Sequence, residues 1–294
     1  MYGAIIGDIA GSKYEFDCMK TKEFPFITEG CTYTDDTNMT VAVARALLNG
    51  CDFTREMQAL GRQYPYPQGG YGGRFSAWLH AARPEPYHSY GNGAAMRVSP
   101  CGLIAVTLQE ALALARASAE VTHDHPEGIR GAQAAAGAVF LAKSGKSKAE
   151  IREYIDSTFY PLDRSLDEIR PVYSFNETCQ KTVPEAIQAF LESTSYEDAV
   201  RNAISLGGDS DTIAAITGSI AWSYYRVNPP ESSGDSGAER KDWPEWCGLT
   251  LREHRINEML PDDFVTVIRE FEKKRTERED AFRRTGTCGG IGQR

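Results

Sequence analysis

Three glycines recur every fourth residue near the start of the chain, within the segment GAIIGDIAGS. On a helix, Gly3, Gly7 and Gly11 share one face, although each helical glycine costs about 1 kcal/mol relative to alanine. Such a face permits close approach of another backbone. A second face of small residues at helical spacing comes late in the chain: Ala214, Gly218 and Ala221. We predict that these two helices cross in contact; the alternative is that the glycines belong to a loop.

Helical patterns dominate the rest of the sequence, and no series of alternating strands indicates a large sheet. A final helix is expected after Pro261, because Phe264, Ile268 and Phe271 recur near helical spacing. The other predicted helices cover residues 103–119, 129–143, 148–156, 184–193 (with Pro184 in its first turn) and 196–206. The predicted fold class is therefore all-α, a multi-helix bundle.

The domain organisation is predicted to be a single domain over residues 1–294, with a core at about 2–226. The segment 228–241 is rich in Pro, Gly, Ser and charge, which predicts a surface loop. A helical extension is expected over 242–284, its charged part from 272 onward forming a solvated face, and 285–294 is expected to fray.

Charge and cysteine usage limit the classes of function. Lys plus Arg number 32 against 41 Asp plus Glu, a net charge of -9 that argues against general affinity for nucleic acid or anionic membrane. The segment Met1–Ala10 has no basic leader and contains Asp8, so we expect a cytoplasmic protein. The seven cysteines form no C-x-x-C pair and are expected to be reduced.

Two acidic clusters each come immediately before a predicted helix, one in YTDDTNMT and the other in LGGDSDTI. Their oxygen-bearing side chains are those of Thr34, Asp35, Asp36, Asp209, Asp211 and Thr212. Each cluster alone is typical of a helix cap, since Asp and Thr accept hydrogen bonds from free N–H groups. A cap needs one side chain, however, and surplus carboxylates repel each other without a cation. Together the clusters indicate a site for hard divalent cations such as Mg²⁺, Mn²⁺ or Ca²⁺.

Two other motif assignments fit less well. A calcium-binding EF-hand loop starting at Asp209 would need glycine where Ala214 stands and a bidentate glutamate where Ile220 stands. The segment DSDTI nearly matches the signature of haloacid-dehalogenase-type phosphohydrolases. In those enzymes the first aspartate of the signature is the nucleophile and should follow an apolar strand. Here Gly207 and Gly208 precede that aspartate, Asp209.

Several segments, in the same order along the chain, resemble the ADP-ribosylglycohydrolases of the dinitrogenase-reductase-activating type. These segments are GAIIGDIAGSKYE, YTDDTNMT, GNGAAMRVSP, THDHPEG and SLGGDSDTIAAITGSIA. The resemblance covers about residues 2–226. It implies an orthogonal helical bundle with two Mg²⁺ ions, or Mn²⁺ in their place, held by the six Thr and Asp side chains of the two clusters.

The resemblance also assigns roles outside the acidic clusters. Glu15 matches a glutamate on a mobile loop beside the substrate; without the resemblance, it would be read as an exposed carboxylate. Gly91, Asn92 and Gly93 match a loop for diphosphate and ribose, where glycines allow successive N–H groups to point at an anion. Met96 and Arg97 follow, and Arg97 is either a phosphate ligand or a surface arginine.

Histidines and tyrosines complete the candidate substrate site. His123 matches a family histidine near the adenosine-side ribose, while His125, before Pro126, is expected to cap the next helix. A zinc site at the two histidines is poorly supported, because no third ligand is suggested nearby. Tyr71 and Tyr90 are candidates for stacking on adenine, with packing in the core as the alternative.

The implied reaction is hydrolysis of a glycosidic bond of ADP-ribose, through an oxocarbenium-like state that nearby carboxylates stabilise. Asp35, Asp36 and Asp211 are mainly metal ligands in this scheme. Glu15 positions the ribose and transfers a proton, although a metal-bound aspartate is an alternative base. The acceptor is left open: an arginine or serine side chain, a nucleic-acid base or a small molecule. The rival functions are a phosphohydrolase and a non-catalytic ADP-ribose-binding or structural protein.

Overall fold

The computed structural model describes residues 1–228 and 255–286, and its helices confirm the predicted all-α class. The helices are α1 (Tyr2–Ser12), α2 (Asp35–Leu48), α3 (Phe53–Gln63), α4 (Gly73–His80), α5 (Gly93–Met96), α6 (Ser99–Ile104), α7 (Leu108–Glu120), α8 (Pro126–Lys143), α9 (Lys148–Thr158), α10 (Leu166–Ile169), α11 (Cys179–Leu191), α12 (Tyr196–Ile204), α13 (Ser210–Val227) and α14 (Asp262–Thr285). Within these two ranges, β-structure is limited to isolated bridges, Thr34 with Gln68 and Gly91 with Thr178. No helix in the described part is both long and apolar enough to span a bilayer.

The centre of the bundle is the contact between α1 and α13, as the glycine pattern predicts. A Cβ added to Gly7 would lie 2.1 Å from the carbonyl oxygen of Ala214, and one added to Gly11 would lie 2.4 Å from that of Ser210. A Cβ on Gly3 would lie 2.5 Å from the carbonyl oxygen of Gly218, with Trp222 closer still. Backbone therefore packs on backbone along the whole contact, which only residues without a side chain allow.

The same contact fixes the direction of the two helices. Gly3 meets the middle of α13 whereas Gly11 meets its first residues, so the helices run antiparallel and the end of α1 lies beside the start of α13. All eleven residues of α1 are buried, and α13 also packs against α8, α11 and α12. The segment that follows α1, including Glu15, consequently leaves the core next to Asp211.

One helix predicted as continuous is divided in two. The segment 103–119 belongs to α6 and α7, separated by extended backbone at Ala105. Thr107 caps α7 by accepting a hydrogen bond from the Glu110 N–H at 3.2 Å, and the Glu110 carboxylate accepts one from the Val106 N–H at 2.8 Å. A Thr three residues before a Glu is a typical helix start, and this local signal outweighs the alanine-rich composition.

A second helix begins earlier than its sequence pattern predicts. α11 starts at Cys179, so Pro184 is the sixth helical residue and not part of the first turn. Proline lacks the N–H that would bond to the carbonyl of Gln180, which makes it unfavourable inside a helix. The helix nonetheless continues past Pro184, and α11 packs against α8, α12 and α13.

The C-terminal helix α14 presents Phe264, Ile268 and Phe271 to the core, as predicted, and packs against α2 and α6. The expectation that its charged part is a solvated face is wrong in part. The Arg278 side chain is 10% exposed and pairs with Glu110 at 2.6 Å, and Glu279 pairs with Lys143 at 3.3 Å. The predicted surface loop at 228–241, apart from its first residue, lies outside the described residues, as do the start of the predicted extension and most of the predicted frayed tail.

The α1–α13 contact predicts a large loss of stability on substitution of its central glycine. Gly7→Leu should lower the free energy of unfolding by about 3 kcal/mol or more, because the side chain would displace the backbone of α13. The matched control is Gly73→Ala, where an added Cβ meets nothing within 4 Å. Chemical denaturation would measure both variants, and wild-type stability of Gly7→Leu would contradict the close crossing.

Candidate functional site

The start of α2 combines a helix cap with a surplus of carboxylates. Thr34 is the N-cap, and its hydroxyl oxygen accepts a hydrogen bond from the Asp36 N–H at 3.2 Å. The capping interpretation is therefore confirmed for this residue. Asp35 and Asp36 are then free of the capping role, and the Asp36 side chain is nonetheless buried.

The start of α13 is different, because its N-cap residue Asp209 makes no capping hydrogen bond. Its carboxylate instead accepts a hydrogen bond from the Asn92 side-chain amide at 2.7 Å. Asn92 also donates to the Thr182 hydroxyl at 3.2 Å, so the amide is itself held in place. Capping does not account for Asp209, and its side chain is directed toward the glycine loop at residues 91–93.

The two helix starts are distant in the chain but meet in space. The Thr212 hydroxyl of α13 donates at 3.0 Å to the carboxylate of Asp36 on α2, 176 residues earlier. Glu15, Asp209 and Asp211 each place a carboxylate oxygen within 4.8 Å of the others, a spacing that could hold a metal ion. Side chains from both helix starts therefore lie together, and we call Glu15, Asp35, Asp36, Asp209 and Asp211 the acidic cluster.

Several oxygens of the acidic cluster lack a hydrogen-bond donor. Among the described residues, Asp36 Oδ1, Asp211 Oδ1 and Glu15 Oε2 are buried without a partner. A buried, unpartnered carboxylate oxygen is costly, and a bound cation is one of the few groups that satisfies it. Carboxylate and hydroxyl oxygens are also the ligands that Mg²⁺ and Mn²⁺ prefer. These oxygen ligands thus fit a hard divalent cation.

The pKa values of the acidic cluster also support a bound cation. Burial and the neighbouring charge of Asp211 raise the pKa values of Asp35, Asp36 and Asp209 well above the ordinary value of an aspartate. The same two causes raise the pKa of Glu15 to about 8. Without a cation, therefore, the carboxylates can avoid mutual repulsion only by retaining protons.

Asp8 is part of this centre, although sequence reasoning noticed it only as a charge within an apolar segment. It is fully buried on α1, and its carboxylate accepts hydrogen bonds from the Thr34 hydroxyl at 2.8 Å and the Thr34 N–H at 3.0 Å. The N–H and hydroxyl of Thr37 also donate to it. Asp8 therefore fixes the start of α2 on α1. A lone Asp on a helix with a glycine face is the sequence signal that could have identified it.

The acidic cluster opens into a cavity of about 570 Å³, large enough for a nucleotide-sized ligand. Most of the predicted site residues line it: Glu15, Asp35, Asp36, Tyr71, Gly91, Asn92, Gly93, Met96, Arg97, His123, Asp209, Asp211 and Thr212. Thr34 lies outside the lining, bonded to Asp8. Tyr90 is also outside it; the residue is 46% exposed, and its ring centre lies 5.2 Å from that of His125.

The glycine loop at residues 91–93 differs in detail from the expected row of N–H groups. The Gly91 N–H donates to the Ser89 hydroxyl at 3.1 Å, and the Asn92 N–H donates to the Glu177 carbonyl at 2.7 Å. These two donors hold the loop against its neighbours and are not available to a ligand. The Gly93 N–H, by contrast, makes no such bond within the described part of the chain, so this loop offers one free donor in place of a row.

The other predicted residues have defined surroundings. Arg97 is 1% exposed, which excludes the surface alternative, and it donates to the Ser118 carbonyl at 3.0 Å. His125 caps α8 as predicted, accepting a hydrogen bond from the Glu127 N–H at 3.0 Å. The Tyr71 hydroxyl is held by protein atoms, and its ring lines the cavity.

Eleven further residues of the cavity lining were not identified from the sequence, among them Phe16, Arg74, Tyr87, Phe175 and Glu177. The Arg74 guanidinium lies 4.8 Å from the centre of the Tyr87 ring, which places a cation at the wall. Phe16 and Phe175 are exposed and stack on each other at 5.9 Å. These two lie in irregular segments that carry no periodic signal, so only the tertiary structure reveals them.

Comparisons with known proteins agree with this geometry. A family model described as ADP-ribosylglycohydrolase matches residues 1–228. The chain is 31% identical to ADP-ribosylhydrolase ARH3 of Mus musculus, covering 78% of each chain. It is 28% identical to ADP-ribosylhydrolase ARH3 of Homo sapiens, covering 86% of this chain and 91% of the relative.

A bacterial relative and a solved structure extend the comparison. ADP-ribosylarginine hydrolase Tri1 of Pseudomonas putida is 26% identical, covering 79% of this chain and 71% of the relative. A solved ADP-ribosylglycohydrolase-related protein complex has a TM-score of 0.61 at 25% identity, covering 77% of this chain and 86% of the other. The chain belongs to the ADP-ribosylglycohydrolase family, hydrolases that cleave ADP-ribose from an acceptor.

Proposed function

We propose that the cavity above the acidic cluster binds ADP-ribose with its reacting ribose at the cluster, and that hydrolysis there depends on two divalent cations, Mg²⁺ or Mn²⁺. The residues proposed to hold the cations are Thr34, Asp35, Asp36, Asp209, Asp211 and Thr212. The observation that carries the proposal is the set of buried carboxylate oxygens without hydrogen-bond donors, which come from both helix starts and meet at one place.

Bound divalent cations would supply Lewis-acid stabilisation of oxygen atoms and a more acidic water at neutral pH. The protein contributes the orientation of the side chains that would bind the cations. Asp8 accepts the Thr34 hydroxyl proton and the Asp36 N–H takes one lone pair of that oxygen, so one lone pair is left to face the centre. Asn92 orients Asp209, and Thr212 is held through Asp36. Such supporting contacts typically change metal affinity by about 10- to 100-fold when removed.

Glu15 is proposed to position the reacting ribose and to transfer a proton. It lies in the segment after α1, half-buried, and its carboxylate lies beside those of Asp209 and Asp211. A carboxylate beside the anomeric carbon also stabilises the positive charge of an oxocarbenium-like state. The metal-holding Asp211 is the alternative proton acceptor, and the Glu15 variant below separates the two.

The ADP portion is proposed to occupy the wall formed by Tyr71, residues 91–93, Met96, Arg97 and His123. The free Gly93 N–H and the Arg74 guanidinium give this wall donors suited to a diphosphate. Tyr71 offers an aromatic face for the adenine. Tyr90 would reach the adenine only from the rim of the cavity, through its exposed ring.

The acceptor is proposed to be a modified protein side chain that leaves past Phe16, Phe175 and Glu177. Glu177 lies close enough to Glu15 for its charge to raise the pKa of that group, so the three residues border the reacting end. Aromatic faces beside a carboxylate favour a planar cation, for which arginine is the matching side chain. The activity in the name of the Pseudomonas putida relative, on ADP-ribosylarginine, supports this choice.

The metal proposal predicts loss of activity on chelation and on removal of one ligand. ADP-ribose release from arginine- and serine-linked substrates should require Mg²⁺ or Mn²⁺ and should stop reversibly in EDTA. Asp211→Asn should lower release on the order of a hundredfold or more, because an amide cannot replace the charge of a carboxylate ligand. The measurement is chromatographic detection of free ADP-ribose.

The matched control is Asp167→Asn, since the Asp167 side chain is 93% exposed and lies outside the cavity lining. Full turnover in EDTA would exclude the metal requirement. Release of inorganic phosphate in place of ADP-ribose would indicate a phosphohydrolase. Tight binding of ADP-ribose with no turnover of any substrate would indicate a binding protein.

The role of Glu15 predicts separate effects on metal binding and on turnover. Glu15→Gln should keep the Mn²⁺ affinity within a few-fold while lowering kcat on the order of a hundredfold or more, because the proton-transfer group is lost. Calorimetry would measure the first effect and steady-state kinetics the second. Glu23→Gln is the control, an exposed glutamate in the same segment. An unchanged kcat for Glu15→Gln would assign the chemistry to an aspartate.

The raised pKa values predict that the metal-free protein loses stability as the pH rises. Burial raises the pKa of Asp8 from 3.8 to about 7 and that of Glu15 from 4.5 to about 8. Between the lower, unfolded-state pKa and the higher, folded-state pKa of each group, the folded state binds a proton that the unfolded state has released. The free energy of unfolding therefore falls with increasing pH.

Melting temperatures measured from about pH 5 to about pH 8 would check this expectation. In EDTA the melting temperature should fall across the range, whereas saturating Mg²⁺ should reduce the fall because the cations replace the protons. Parallel curves with and without Mg²⁺ would show that the acidic cluster is not the metal site.

A further inference from the structure

A buried chain of hydrogen bonds links Arg97 to the histidine of the cavity. The Arg97 Nη2 group donates to the Thr122 hydroxyl at 2.8 Å, and that hydroxyl lies 2.7 Å from His123 Nδ1. Arg97 is 1% exposed, Thr122 is 0% exposed and His123 is 5% exposed. The Thr122 hydroxyl between the other two groups therefore depends on protein partners for its hydrogen bonds.

The direction of each hydrogen bond follows from the donor inventory. A guanidinium has donors and no acceptor, so the Thr122 oxygen accepts from Arg97. The hydroxyl proton of Thr122 then needs an acceptor of its own. Within the described residues this hydroxyl has one other partner, His123 Nδ1. If Nδ1 carried a proton instead, the hydroxyl proton would be buried without an acceptor.

This hydrogen bond favours one tautomer of His123. Because Nδ1 accepts from Thr122, a neutral imidazole must carry its proton on Nε2. This nitrogen is directed at the glycine loop: a Cβ added to Gly91 or Gly93 would lie 3.5 Å from it. Both glycines and His123 line the cavity. The Nε2–H group consequently faces the space where a ligand would lie.

The neutral form of the ring is favoured by its surroundings. Burial, followed by the positive charges of Arg97 and Arg74, lowers the pKa of His123 well below 6.5. The third neighbour is Tyr87, whose ring centre lies 6.0 Å from that of the imidazole and whose pKa burial raises to about 12. None of these groups supplies a negative charge at neutral pH that would favour an imidazolium.

We propose that Arg97 and Thr122 are positioning residues that fix His123 as an Nε2–H donor for an acceptor oxygen of the bound ligand, a ribose hydroxyl or a diphosphate oxygen at the glycine loop. This inference rests on the proposed function, because it takes ADP-ribose as the ligand. It assigns Arg97 a role through Thr122, where the sequence left open a phosphate ligand or a surface arginine.

The first experiment reads the tautomer without any ligand. Long-range ¹H–¹⁵N correlation spectra of ¹⁵N-histidine-labelled protein distinguish Nε2–H from Nδ1–H imidazole, and His123→Gln identifies the signal among the five histidines. The expected result is the Nε2–H form at neutral pH. An Nδ1–H form or an imidazolium under the same conditions would overturn the inference, whatever the enzyme assays show.

The second experiment breaks the chain at Thr122. Thr122→Val keeps the shape but removes the hydroxyl, whereas Thr122→Ser keeps the hydroxyl and is the matched control. Thr122→Val should weaken ADP-ribose binding in calorimetry about five- to tenfold, the value of one hydrogen bond, and raise KM more than it lowers kcat. Thr122→Ser should bind ADP-ribose as the wild type does.

The outcomes separate this inference from the proposed function. Equal ADP-ribose affinity in folded Thr122→Val and wild type would overturn the inference while leaving the proposed function intact. Failure of the wild type to bind ADP-ribose at all would overturn both. If Thr122→Val does not fold, the spectrum of the wild type still decides the tautomer, and Thr122→Ser still tests whether the hydroxyl alone suffices.

Discussion

The antiparallel contact of α1 with α13 is the constraint on which the rest of the structure depends. Backbone meets backbone at Gly7 and Ala214, at a separation too short for any side chain at position 7. The contact brings the end of α1 to the start of α13, so Glu15 leaves the core beside Asp211. Asp8, one turn earlier on α1, then holds Thr34 and with it the start of α2. One small-residue face thus aligns three chain segments.

This alignment explains why a stable fold tolerates so many buried carboxylates. Helix starts are favourable places for negative charge, because their free N–H groups are partly positive. That effect is small compared with the cost of several unpartnered carboxylate oxygens. The arrangement is reasonable if cations complete it, and a cavity with cationic and aromatic walls beside the cluster gives a nucleotide-sized ligand access to them.

The two walls of the cavity are built on different principles. The acidic side consists largely of side chains on helix starts, whose positions follow from regular structure. The opposite side depends on buried hydrogen bonds between segments, such as those that join Arg97, Thr122 and His123. In such a network each hydrogen-bond donor limits where the next group can place its own proton. A residue without contact to the ligand, such as Thr122, can therefore set the protonation of one that contacts it.

The sequence by itself determined the helical class, the crossing of the glycine faces and the acidic helix starts, because periodicity and capping are local properties. It did not determine that Asp209 bonds to Asn92 while Thr34 acts as a cap, since both residues are good caps in isolation. The break between α6 and α7 was signalled locally but outweighed in the prediction by composition. The hydrogen bonds of Asp8, the position of Phe175 in the cavity lining and the partners of Arg97 emerged only from the tertiary structure, because contacts between distant segments depend on how whole helices pack.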